Sequence, residues 1–87
     1  MSRLKENALE VLRVVFAESE YRKTLKTNLT FSKISEEVRI PDLKMEDIKY
    51  AVEYLSDLDY ITYRNHPIFH DICITSKGID YYNESYL

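Results

Sequence analysis

The chain has 87 residues, 45% of them apolar and 31% charged, with one glycine and two prolines, which is the composition of one modest folded core without a flexible or low-complexity linker. Its formal charge of −3 hides an imbalance: residues 1–44 carry nine Lys or Arg against seven Asp or Glu, and residues 45–87 carry three against eight. The longest apolar run, Val14-Val15-Phe16-Ala17, falls far short of the about 20 residues of a membrane span; Met1–Glu6 has no signal-peptide core, and the lone Cys73 excludes an intrachain disulfide and fits a reducing cytoplasm.

The spacing of Leu4, Ala8, Val11, Leu12 and Val15 predicts a first helix over Ser2–Ser19, with Ser2 as its N-cap. Leu9 and Phe16 widen its apolar arc on one side and Val14 on the other, to about 220°. An arc that wide predicts either a central position in the fold or a spare face for a second subunit. Tyr21–Asn28 is polar and basic and reads as a connection, after which Leu29 can add one short strand. Thr30 is placed to cap a second helix, Phe31–Val38, that buries Phe31, Ile34 and Val38. Pro41 lies in the turn 39–43 and keeps Ile40 out of helical dihedrals.

A third helix is predicted over Lys44–Asp57, with Ile48, Ala51, Val52, Leu55 and Leu58 facing inward. Tyr60–Arg64 is β-branched and aromatic and reads as a strand, Asn65-His66-Pro67 as a turn, and Phe69–Ile74 as the returning strand. Thr75 then caps a last helix, Ser76–Glu84, with Ile79 and Tyr82 facing in. Gly78 in its first turn weakens that helix by up to about 1 kcal/mol relative to alanine.

Two stretches carry a family likeness: Tyr54-Leu55-Ser56-Asp57-Leu58-Asp59-Tyr60-Ile61, a third helix running into a hairpin, and Ile74-Thr75-Ser76-Lys77-Gly78-Ile79-Asp80-Tyr81-Tyr82, the segment that closes it. Over residues 29–84 the chain resembles the winged helix-turn-helix superfamily, especially compact one-domain transcriptional regulators of bacteria, archaea and their mobile elements. The resemblance implies an α+β fold in a single domain, residues 1–87, with a three-helix core, a β-hairpin wing and a short C-terminal helix. It implies double-stranded DNA as partner and a role in transcription regulation. In such proteins the third helix enters the major groove and the wing touches the backbone or minor groove.

A helical wheel complicates that expectation. Opposite the buried stripe, within about 30°, lie Glu46, Tyr50, Glu53 and Asp57, and duplex DNA presents about one negative charge per 1.7 Å. One carboxylate set against a cytosine amino group is ordinary; three in a row are not. The candidate DNA contacts are therefore on the flanks and the wing: Lys33, Lys44, Lys49 and Tyr50, and Arg64, Asn65 and His66 at the wing tip. Arg22, Lys23 and Lys26 add charge to the loop after the first helix. The alternative is a protein-interaction module that binds a basic partner through Glu46, Glu53 and Asp57.

Other chemistry is less well supported. His66, His70 and Cys73 fall close together, but His70 and Cys73 are three apart in a strand and point to opposite faces, so no metal is expected. One glycine allows no phosphate-cradling loop, and a domain this small has little concave volume; neither an enzyme, a cofactor nor a small-molecule substrate is expected. Eight tyrosines, with Tyr81, Tyr82 and Tyr86 near the C-terminus, together with the wide arc of the first helix, suggest a homodimer through Leu9, Phe16, Tyr81 and Tyr86.

Overall fold

The computed structural model describes residues 3–65 and 70–86. Among them run α1 (Leu4–Arg22), α2 (Phe31–Glu37), α3 (Met45–Asp57), β1 (Ile61–Asn65), β2 (His70–Ile74) and α4 (Ser76–Tyr86). This is an α+β arrangement of four helices and a two-stranded antiparallel hairpin, in the order the sequence predicts.

The N-cap position of α1 is Arg3, which makes no side-chain cap bond; Ser2, the expected cap, lies outside the described residues. The helix does not stop at Ser19. It continues to Arg22 because Glu18 Oε2 accepts from Arg22 Nε at 2.6 Å, one turn apart, and Lys23 closes the end in the left-handed region (φ 55°) with its N–H returned to Ser19 O. Tyr21 and Arg22 therefore belong to the helix rather than to the connection. Ala8, Val11, Leu12, Val14 and Val15 are all buried, because α2, α3, β2 and α4 pack around α1. The wide apolar arc is that of a central helix.

Thr30 caps α2 as expected: its hydroxyl accepts the Lys33 N–H at 3.1 Å. Phe31 and Ile34 are buried, and the helix ends at Glu37, with Val38 already extended (ψ 145°) as its C-cap. The turn that follows is pinned to α1. Glu10 holds Arg13 through two bonds of 2.8 and 2.9 Å and accepts the Arg39 N–H at 2.6 Å. Arg13 also donates to Glu37 O at 3.1 Å. The Arg13 guanidinium, against some opposition from partial burial, holds the Glu10 carboxyl below its usual range, and the Arg39 N–H adds to the effect. This clamp fixes the path from α2 into α3.

In α3, Ile48, Ala51, Val52 and Leu55 are buried; Leu58 is half-buried at the C-cap. The hairpin pairs Ile61 with Ile74, Tyr63 with Ile72 and Arg64 with Asp71. Alternation turns Ile61, Ile72 and Ile74 into the core and leaves Thr62 and Arg64 exposed. Leu29 bridges the free edge of β2 through two bonds with Ile72, of 3.1 and 3.2 Å. β1 begins at Ile61 rather than Tyr60, and β2 at His70. The expected start of β2, Phe69, and the turn residues His66 and Pro67 lie outside the described residues.

Thr75 caps α4, accepting the Gly78 N–H at 3.0 Å while donating to Asp59 O at 2.6 Å. α4 extends to Tyr86, beyond Glu84. Tyr82 stacks on Phe16 with ring centroids 4.6 Å apart, and Tyr81 on Tyr60 at 4.3 Å. α4 thus covers the Phe16 side of α1 from within the same chain. Among the described residues no helix is long and apolar enough to cross a membrane.

Candidate functional site

The outward face of α3 is organised from its first turn. Lys44 occupies the N-cap, but an ammonium has no acceptor to offer the free N–H groups. The start is fixed from the other side, by the Asp47 carboxylate accepting the Lys44 N–H at 3.1 Å. Asp47 is thus engaged in the helix start rather than displayed. Glu46 is exposed and belongs to none of the three ion pairs found among the described residues.

Further along the same face Tyr50 is 59% exposed, and Glu53 and Asp57 are exposed. The last turn has no basic residue, so Asp57, and Asp59 just beyond, sit at the negative end of the helix dipole, where a carboxylate is disfavoured. Charge is therefore segregated along α3. Its first half displays Lys44 and Lys49 with Glu46; its second half and the following turn display Glu53, Asp57 and Asp59 and no cation.

Lys49 leans toward α2, its Nζ 5.7 Å from the centroid of the Phe31 ring. Phe31 in turn meets Tyr63 of β1, with centroids 5.4 Å apart. The Phe31–Tyr63 pair joins α2 to β1, and Lys49 over the same Phe31 ring brings α3 to it, so the three elements share one concave surface. An open trough of about 980 Å³ runs along it, lined by Lys49, Tyr50, Glu53, Asp57 and Tyr63 among others. Lys33 is exposed two residues beyond Phe31, in a 3.4 Å pair with Glu37. Both partners are half exposed, and such pairs contribute at most about 1 kcal/mol, so Lys33 stays accessible to another anion.

Arg64 is placed differently. Strand alternation puts it on the face of the hairpin opposite Tyr63, exposed and directly across from Asp71. It does not join Lys49 at the trough. Asn65 ends β1, and His66 lies outside the described residues. Of the expected dimerisation residues, Leu9 and Phe16 are half-buried, Phe16 beneath Tyr82. Tyr81 lies on Tyr60, and Tyr86 is the last residue of α4. Cys73 is half-buried on the outer side of β2, its Sγ 3.5 Å from Asp71 Oδ1.

Sequence reasoning missed the Glu10–Arg13–Arg39 clamp. The i, i+3 spacing of Glu10 and Arg13 is visible in the sequence, but the bond to Arg39 joins residues 29 apart. Nor did it identify Asp47 as the acceptor at the helix start, although an acid three residues after a helix start is a recognised capping signal.

No family model and no curated protein matches the chain. Among solved structures it is similar to the crystal structure of AF1382 from Archaeoglobus fulgidus, with a TM-score of 0.74 and 18% identity over 94% of this chain and 82% of that one. At that identity the likeness concerns the fold alone.

Proposed function

We propose that the chain is a winged helix-turn-helix protein that binds duplex DNA and acts as a small transcriptional regulator, presenting the first half of α3 to the major groove. The observation that carries this is the segregation of charge along α3. Helix-turn-helix proteins meet base edges with the N-terminal residues of the recognition helix. Here that half bears Lys44 and Lys49, and one of its two acids, Asp47, is engaged in the cap. Glu53 lies about 10 Å and Asp57 about 16 Å further along the axis than Glu46, toward the mouth of a groove about 12 Å wide. Lys33 at the start of α2 adds a phosphate contact beside the same surface. Arg64, on the outer face of the hairpin and opposed by Asp71, contributes less than the lysines.

The test is titration of labelled genomic duplex fragments at about 50 mM and about 200 mM salt. Binding that weakens steeply with salt supports the proposal. Absence of binding at the lower salt overturns it.

A second reading is favoured by one specific feature. Among the described residues Asp57 and Asp59 join no ion pair, and they sit at the wrong end of the helix dipole, beside the exposed Glu53 and the tyrosines of the trough. That arrangement suits a protein-interaction module for a basic partner. Changing Glu46, Glu53 and Asp57 together to lysine then abolishes capture of that partner; unchanged capture excludes this face as the interface.

A further inference from the structure

We infer that Glu46 is a base-reading residue whose carboxylate accepts a hydrogen bond from a cytosine amino group, so that the DNA site contains an obligatory cytosine. The inference rests on the DNA-binding proposal and adds the identity of one base to it. Among the acids on the outward side of α3, Glu46 is the one in the first half, and it joins no ion pair among the described residues. Asp47 closes the helix start, and Glu53 and Asp57 belong to the second half. Glu46 is exposed and adjoins Met45, 38% exposed, with the 59% exposed Tyr50 one turn on. A first turn bearing a free carboxylate beside exposed apolar side chains resembles a base-contacting surface more than a phosphate-contacting one.

The chemistry of the groove then selects the base. An ionised carboxylate is acceptor-only. In the major groove the only donors are the amino groups of cytosine and adenine. Adenine presents its N7 acceptor beside that amino group, and its lone pair repels a carboxylate, whereas cytosine offers the donor alone. Guanine and thymine expose only acceptors, apart from the thymine methyl. Away from a cytosine, Glu46 is held against the negative field of the duplex with nothing to offset it. Lys49, drawn toward the Phe31 ring at the start of α2, is directed to the flank instead of competing for the same base.

The substitution Glu46→Gln tests this with almost no change in shape. A glutamine amide donates as well as accepts and matches the N6 and N7 of adenine. Wild-type protein and the Glu46→Gln and Glu46→Ala variants are each used to enrich a random duplex library, and the selected sites are aligned. The expected result is one position that is cytosine for wild type, adenine for Glu46→Gln and unselective for Glu46→Ala, with the other positions unchanged. On isolated sites, wild type should prefer cytosine over adenine at that position by roughly five-fold or more. If wild type and Glu46→Gln enrich the same bases at every position, Glu46 does not read a base, although DNA binding stands. If wild-type protein enriches no duplex at all, the DNA-binding proposal itself fails and this inference falls with it.

Discussion

The α-carbon of Gly78 rests against the backbone carbonyl of Tyr60. A side-chain carbon at position 78 would overlap that oxygen, and it would lie 2.9 Å from the carbonyl carbon and 3.1 Å from Ile74 Cγ1. The same carbonyl accepts the Thr75 N–H at 3.1 Å, and Thr75 caps α4. The first turn of α4 is thereby docked onto the end of the α3–β1 connection. Helix propensity alone says that alanine at position 78 stabilises by about 1 kcal/mol. Backbone is the obstacle, however, and backbone cannot rotate aside. Gly78→Ala is therefore expected to destabilise by about 1–3 kcal/mol, measured by urea unfolding; a rise in stability would show that the approach is looser than described.

Thr30→Ala removes the acceptor for the Lys33 N–H and leaves the start of α2 uncapped. Thermal or urea unfolding should show a loss of about 1 kcal/mol, and Thr30→Asn or Thr30→Asp should recover most of it.

The Glu10 clamp predicts an acid dependence. Its carboxyl is held below the usual range by Arg13 and the Arg39 N–H. A depressed folded-state value means that the stabilisation is complete above the unfolded pKa, about 4.3 for a glutamate, and is lost as pH falls through the lower folded value. Glu10→Gln should accordingly be less stable than wild type at neutral pH, and the gap should narrow as the solution is acidified below about pH 4. Urea unfolding of both proteins across that range checks the sign; a gap that widens on acidification would contradict it.

Neutralising Lys33 or Lys44 should weaken DNA binding about equally on all sequences and lower the salt slope by about one each. Arg64→Ala should have a smaller effect, because Arg64 stands on the outer face of the hairpin, at the position across from the acidic Asp71. Affinity measured against salt concentration for the three single variants gives that order directly.

Local chemistry made much of the fold legible. The 3.6-residue stripe of α3, the threonine caps at Thr30 and Thr75, the single bridging residue Leu29 and the alternation of the hairpin follow from patterns a few residues long. The end of α1 was not legible, because its last turn is polar and is held by the Glu18–Arg22 pair and the left-handed Lys23, not by buried side chains. The use of Phe16 was not legible either, since its partner Tyr82 lies 66 positions away and on another helix. At the candidate site the wheel placed the acids on the right face. It carried no information on which acid the helix start engages, or on which side of the hairpin Arg64 stands relative to the aromatic pair.

The most direct measurement compares two paired substitutions for duplex affinity over a range of salt: Lys44→Gln with Lys49→Gln, and Glu53→Gln with Asp57→Asn. If the first half of α3 enters the groove, the lysine pair lowers affinity and reduces the salt slope by about two, while the acid pair leaves binding unchanged or tightens it. Equal binding by the lysine pair and wild type, or a collapse of binding in the acid pair, would contradict that placement of α3.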